Sequence, residues 1–472
     1  MKARSSVFLL IILSAAALTA RAQLQWGEDR LIGNFQNGLT QVGPGFSHFD
    51  CLYGTDADVF VAFSEEGTTS SGDLLTVRKS FNNGVTWTYQ KTVTGGENGL
   101  FSPNIAIIPG SNAVCVTTVA QLGAGGSALW SYKYDYENLT YQGYHPPDYS
   151  YPGAGNPVSC TLVSNTFSGE IWLFTVDDND WLYLTRSSDG ETWTPSAPVA
   201  ANVQRPHAEA SADGHVAVVW SQTNTGDIKC AVAASDGTFL PAVTVTSDCC
   251  PMATPIAGWE HLGDMELGVV WHDNLGQSFL NISEDNGATW GVDLLLGNGY
   301  FPYIDHFGGT RRMGACITTD TGDVKVTSAA SLSALPLSPF TIRSGHEAYL
   351  DGPAKVAFGQ SSGQLALFYL SPTTQDFWFN SSVLTGIEEG QEVGNLSVTA
   401  GPSPAHGAIQ VVSTGFQGQV ELSLFSVDGR MVQSVSSITG TATLSTEDLP
   451  SGVYTVVAED GLSMATCRVV RF

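Results

Sequence analysis

The chain has 472 residues, with 51 glycines, 21 prolines, 11 tryptophans and only 14% charged side chains. It is too long for one small domain, and too rich in glycine and poor in charge for a helical bundle or coiled coil. A mean hydropathy of +0.04 supplies a large core and excludes a disordered chain, and a net charge of −26 repels a phosphate backbone, so no nucleic-acid partner is expected.

Residues 1–22 read as a signal peptide. Lys2 and Arg4 form a charged start, Val7 to Leu18 is an apolar run short for a bilayer span, and Ala20-Arg21-Ala22 is a cleavage site before Gln23. A membrane anchor is the alternative. The segment holds three cations and no acid, so its removal leaves 16 − 45 = −29. No later run approaches the ~20 apolar residues of a spanning helix, so no transmembrane segment is expected after signal removal. Eight cysteines in an exported chain can form disulfides. Cys51, Cys115, Cys160, Cys230 and Cys316, however, each sit in a strand-like run, where Cys serves as a small core residue. The adjacent Cys249-Cys250 can close a vicinal disulfide or pair elsewhere.

From residue 23 to 384 helical periodicity is absent, and short apolar or alternating runs are punctuated by Gly, Asn, Asp and Pro. That is all-β grammar. One repeat lies in prolines: Ser102-Pro103, Asn156-Pro157, Arg205-Pro206, Cys250-Pro251, Phe301-Pro302 and Gly352-Pro353 each open a unit, and His48 replaces Pro in a further one. Pro at the first residue of a strand costs no ladder bond. A second repeat lies in turns. Ser283-Glu284-Asp285-Asn286-Gly287-Ala288-Thr289-Trp290 fits S-x-D-x-G-x-T-W. Ser80, Asn82, Gly84 and Trp87 form a second copy, and Ser187, Asp189, Gly190 and Trp193 a third, one residue short; Ser235-Asp236-Gly237 is a worn fourth. The Asp or Asn accepts bonds from turn amides, Gly supplies a positive φ, and Trp packs between sheets.

These turns resemble the Asp-box (BNR repeat) of sialidase-like β-propellers. Each unit reads as four strands, as in Pro206–Ala212, His215–Ser221, Ile228–Ala234 and Phe239–Val245, with outer strands beginning near Trp87, Leu139, Trp193, Phe239, Trp290 and Phe340. The last unit lacks one strand and Trp26–Ile32 supplies it, closing the ring. The expected fold is all-β, a propeller of seven blades (six, as in classical sialidases, is the alternative) followed by a small β-sandwich.

Residues 385–393 form a polar linker. After it come Pro402-Ser403-Pro404-Ala405, a strand ending Asp428-Gly429-Arg430, Leu449-Pro450-Ser451-Gly452-Val453-Tyr454, and a basic-apolar end, Arg468 to Phe472. In that order, residues 394–472 resemble the type A C-terminal sorting domain of type IX secretion cargo, with Ser403 where the family usually has Asn. The resemblance implies a Gram-negative cell, the type IX machinery as partner, and a cell-surface or secreted product that passes through the periplasm. A generic adhesion sandwich is the alternative.

A propeller binds ligands at the mouth where inner strands start and where the loops between second and third strands return. The Asp-box turns fall on the opposite face and are scaffold. The candidate ligand-binding residues are Arg205, His207, Glu209, Tyr303, Asp305, His306, His48, Asp50, Asp351 and Lys355. Asn104, Glu65, Glu66, Asp177, Asp178, Asp180, Trp220, Trp271, His272, Asp273 and Asp320 also belong to the mouth. Arg205, His207 and Glu209 alternate along one strand face, and the alternative is a hydrogen-bonded channel lining.

Sialidase chemistry needs three arginines, whose planar forks hold the substrate carboxylate. Arg78, Arg186, Arg311 and Arg312 fall on the scaffold face, only Arg205 and Arg343 reach the mouth, and the R-I-P signature is missing. A sialidase is therefore not expected, and no catalytic residue is assigned. Other carboxylate pairs drawn from Glu209, Asp305 and Asp351 leave a glycoside hydrolase or lyase open. A binding protein, for glycans or another extracellular ligand, is the leading expectation, and a structural surface protein a third. No cofactor or metal is expected; Asp177-Asp178-Asn179-Asp180 is the one weak Ca²⁺ candidate.

Overall fold

The computed structural model describes residues 25–471 except 27–28, 35–48, 55–57, 66–73, 88, 95–99, 123–125, 148–154, 248–254, 260–265, 307–312, 330, 338–340, 344–353, 359–363, 372–375, 384–396, 402–406, 415–419, 427–430, 439, 448 and 460–463. The expected signal segment, the linker, His48, Glu66, Cys249-Cys250, Arg311, Arg312, Asp351 and the Pro402–Ala405 motif lie outside the described residues.

Two compact units divide the chain after Val383. In Trp26–Val383 the described strands form six four-stranded antiparallel meanders and one five-stranded sheet. The first strands are Phe49–Tyr53, Leu100–Ile107, Pro157–Asn165, Val203–Ala210, Ile256–Trp259, Tyr300–His306 and Lys355–Phe358. Each packs against the next, and Lys355–Phe358 returns to Phe49–Tyr53, so the inner strands close a ring. That is a β-propeller. The N-terminal strands Gln25–Trp26 and Arg30–Asn34 pair with Asp376–Val383, with Leu31 opposite Trp378, and complete the last sheet as the sequence predicts.

The core is layered between consecutive sheets. Second strands read as unbroken apolar runs because both of their faces are covered, and every residue of Leu267–His272 and Met313–Thr318 is buried. Phe60 and Val77 of one sheet meet Val116 and Tyr134 of the next, and Trp172 and Phe174 meet Val216 and Val218. Cys115, Cys160, Cys230 and Cys316 are free and buried in strands, and Cys51 is free and half-buried.

The turns after three of the third strands share one geometry. Ser283 Oγ accepts the Gly287 amide at 2.7 Å and Asp285 Oδ1 the Thr289 amide at 2.7 Å. Ser80 and Asn82 repeat this with Gly84 and Thr86, and Ser187 and Asp189 with Gly190 and Thr192. The Thr289 hydroxyl and amide hold the Asp285 carboxyl below its usual range. Gly84 has φ +71°, and a Cβ there would clash with the Phe379 ring of the preceding sheet, so only glycine fits. Trp87 stands edge-on to the same Phe379 at 5.9 Å, and Trp193 donates to the His145 carbonyl at 2.9 Å. Each such turn clamps its sheet to the one before.

Two sequence expectations change. Pro103, Pro206 and Pro302 are not first in their strands; they sit at bulges inside Leu100–Ile107, Val203–Ala210 and Tyr300–His306. Ser102, Arg205 and Phe301, just before them, have φ of +49°, +53° and +49°. The bulge lifts the missing N–H out of the ladder. Outer strands also begin later than expected, at Tyr89, Ala197, Val243 and Leu294.

The smaller unit holds two sheets. Ser397–Gly401, Ala408–Thr414 and Thr441–Ser445 form one; Met431–Ser437, Val420–Ser426, Gly452–Glu459 and Met464–Arg471 form the other. Ile409, Val411 and Leu444 of the first pack on Leu422, Leu424 and Val456 of the second, as a sandwich requires.

Candidate functional site at the channel mouth

Strand pairing defines the two ends of the channel. Val203 stands opposite Gln222 and Pro157 opposite Asp177, so the starts of first strands share an edge with the turns between second and third strands. The clamp turns follow third-strand ends and lie on the other face, since Ser187 stands opposite Ile171, where a second strand starts.

Inside the ring the candidate residues are cross-linked. Lys355 Nζ pairs with Asp50 Oδ1 at 2.9 Å, and Asp50 Oδ2 accepts the Ile105 amide at 2.9 Å. Asp305 Oδ2 accepts the Phe358 amide at 2.7 Å. His207 Nδ1 accepts the Ala257 amide at 3.3 Å, which leaves its proton on Nε2. Asn104 donates to the Cys160 carbonyl at 3.1 Å. Each bond ties one inner strand to another. Tyr303 stands edge-on to His207 at 5.8 Å, and Lys355 Nζ lies 5.4 Å from the Tyr303 ring.

Burial sets the protonation of this lining. It lowers His207 to about 3, with the Lys355 charge acting in the same direction. It pushes the Glu209 carboxyl well above its usual range, aided by Asp305 and Asp50. His306, 3.9 Å from Asp305, is lowered to about 4 by burial and is neutral at pH 7, so that contact is not an ion pair. Asp305 is raised by burial from 3.8 to about 6, against hydrogen bonds from the Phe358 and His306 amides. A folded-state value above the unfolded one gives stability that is complete below pH 3.8 and lost as pH rises through 6. The Asp305 side chain is 26% exposed to the channel, so the loss is about 2 kcal/mol. Urea unfolding should therefore show Asp305→Asn about 2 kcal/mol more favourable, relative to wild type, at pH 8 than at pH 4. The same difference at both pH values would contradict this assignment.

At the mouth the arrangement differs from the sequence expectation. Arg205 does not share a face with His207 and Glu209, because the bulge between Gln204 and His207 breaks the alternation. Its charge acts on His272 of the next sheet, which burial and then Arg205 lower to about 4. His272 Nδ1 accepts the Phe301 amide at 3.3 Å, and its ring lies 4.7 Å from Phe301 and 5.7 Å from Tyr300. Three consecutive sheets thus gather a guanidinium, an imidazole and two half-buried aromatic rings. His272 is one of several loop candidates in the sequence; Tyr300 and Phe301 escape it as site residues, although Phe301-Pro302 marks the same bulge as Arg205-Pro206.

Other mouth candidates have structural places. Trp220 and Trp271 are buried between sheets, Trp271 stacked on Phe279 at 5.9 Å, so neither is a mouth aromatic. Asp177 accepts the Gly155, Asn179 and Trp181 amides at 2.7, 3.1 and 2.8 Å, and Asp178 holds Asn156. These carboxylates fix the loop, and among the described residues no group of three or more His, Cys, Asp or Glu can hold a metal ion. Arg186 is engaged on the scaffold face by Glu170 at 3.4 Å, and Arg78 by the Ile32 carbonyl. The side chains of Glu65 and Arg343 lie outside the described ones.

Residues 401–470 match the family model of the secretion system C-terminal sorting domain. No curated protein matches the chain. Among solved structures, the BP39L lectin of Burkholderia pseudomallei aligns with a TM-score of 0.56 at 16% identity, over 70% of this chain and 94% of the lectin, which shows the fold alone. PorZ, a surface component of the type IX secretion system of Porphyromonas gingivalis, aligns at TM-score 0.39 and 12% identity over 93% of this chain and 60% of PorZ. The NanB sialidase of Streptococcus pneumoniae aligns at TM-score 0.40 and 9% identity over 74% and 70%. Among the described residues no helix is long and apolar enough to cross a membrane. The chain is a β-propeller protein carrying a type IX sorting domain at its C-terminus, which marks it for the cell surface or for secretion.

Proposed function

We propose that the protein is a surface or secreted glycan-binding propeller of seven blades, whose signal peptide ends at Ala22 and whose Asp-box turns are scaffold. It enters the periplasm, crosses the outer membrane by the type IX route, and binds its ligand at the channel mouth. The observation that carries the reading is the grouping of Arg205 with His272, Tyr300 and Phe301. A planar guanidinium fork holds vicinal hydroxyls or a carboxylate, and ring faces receive the apolar side of a sugar. The acids deeper in the channel support binding over catalysis, because Asp50 and Asp305 are committed to bonds between inner strands.

A glycan array probed with the purified full chain tests this. Arg205→Ala should lower retention of the bound glycan roughly tenfold or more while leaving the melting temperature unchanged. An Arg205→Ala protein that melts early yet binds normally would overturn the mouth reading. Turnover of a nitrophenyl glycoside, abolished by Glu209→Gln, would replace binding with hydrolysis, the second reading, which the raised Glu209 carboxyl favours.

A further inference from the structure

The second sheet carries five aromatic rings that the mouth does not use. Trp130, Tyr132 and Tyr134 alternate along the third strand, Ser127–Asp135, and so share a face. On the outermost strand, Tyr141–Tyr144, Tyr144 stands opposite Tyr132 and Tyr141 opposite Tyr134. The rings form a connected wall. Tyr134 lies 6.0 Å from Tyr141, Tyr132 lies 5.3 Å from Tyr144, and Trp130 lies 6.2 Å from both Tyr132 and Tyr144. Its inner edge is core, since Tyr132 and Tyr134 are buried against the first sheet. Its outer edge is open, with Tyr141 51% and Tyr144 43% exposed.

Two observations separate this wall from ordinary packing. The Tyr134 hydroxyl is buried and has no hydrogen-bond partner, although a buried phenol normally finds one. Of the exposed residues in the turn and strand that carry the outer rings, Asn138, Thr140 and Gln142 are uncharged and polar, and Glu137 is the one charge. Lys133, the neighbouring cation, is already paired with Glu191 at 2.7 Å.

We propose that this wall is a second ligand site, for a neutral oligosaccharide whose pyranose faces stack on Tyr141, Tyr144 and Trp130. A pyranose ring has an apolar C–H face and a hydroxyl edge, and tyrosine offers a ring face and a phenolic oxygen to match. A net charge of −26 disfavours an anionic chain, and a peptide partner would find no aliphatic pocket among these residues. The site rests on residues separate from the mouth.

The full chain should be titrated with cellohexaose, xylohexaose and mannohexaose, following tryptophan fluorescence and calorimetry. At least one should bind and perturb the emission. Tyr141→Ala with Tyr144→Ala should weaken that binding roughly tenfold or more, whereas Tyr141→Phe with Tyr144→Phe, which keeps the rings, should retain most of it. Both tyrosines are half-exposed, so an unchanged melting temperature verifies the fold. Repeating the series in an Arg205→Ala background keeps it readable whether or not the mouth binds sugar. Undiminished binding by the double alanine variant, no response to any of the three sugars at millimolar concentration, or a response to a proline-rich peptide alone would each overturn the proposal.

Discussion

Replacing Lys79 by methionine should destabilise the propeller by about 3–5 kcal/mol, the cost of breaking a buried ion pair from one side. The Lys79 side chain is fully buried and its Nζ pairs with Asp58 at 2.9 Å. The same nitrogen donates to the Tyr136 carbonyl at 2.7 Å and the Glu137 carbonyl at 3.3 Å. It lies 4.1 Å from the Phe81 ring, 4.3 Å from Tyr136 and 5.0 Å from Phe60. Lys79 is therefore held within the first sheet by Asp58 and the Phe60 and Phe81 rings, and joins the second sheet through the Tyr136 and Glu137 carbonyls and the Tyr136 ring. Methionine fills most of the volume but leaves the Asp58 carboxylate and two carbonyls without their donor, and the uncompensated buried charge dominates the cost. Adding Asp58→Asn should recover part of the loss. Urea midpoints of the single and double variants measure both effects, and a Lys79→Met protein as stable as wild type would show that the pair contributes nothing.

What the sequence made legible was local. The clamp turns could be read because Ser283, Asp285, Gly287 and Thr289 bond within one turn, so motif and geometry lie in the same eight residues. The four-strand rhythm could be read for the same reason, and the orphaned N-terminal strand pointed to ring closure. Contacts made around the ring were not legible. Asp50 and Lys355 are 305 residues apart, and Lys79 meets Tyr136 57 residues along the chain. Trp220 and Trp271 misled because a tryptophan at a strand end reads equally as rim or core, and packing between two sheets decides. Arg205 misled for a sharper reason. The residue before proline ordinarily avoids the α regions, so alternation was the natural expectation, and the left-handed bulge at +53° opposes local preference. Ser102 and Phe301 share it at the same edge. Conformations of this kind persist only where surrounding structure enforces them, and at Arg205 and Phe301 the bulge turns the chain toward His272.

Deleting residues 394–472 should reduce surface display to background while leaving the propeller folded. The matched sorting family covers 401–470, almost all of the deleted segment. Among the described residues the sandwich has a core of its own, in which Val398, Ile409, Leu422, Leu444, Val456 and Val469 pack together. Among the described residues the propeller's inter-sheet cores are likewise built from residues before 384. The truncated protein should unfold at the same urea concentration as the propeller within the full chain. What it loses is the surface read by the export machinery, so the protein should accumulate within the cell envelope, detected by fractionation and by protection from protease added to intact cells. A truncated protein displayed as well as the full chain would refute the sorting role. A truncated protein that unfolds early would instead show that the sandwich also stabilises the propeller. Fusing residues 394–472 to an unrelated exported domain completes the argument, because a sorting signal should carry that domain to the surface in the same strain.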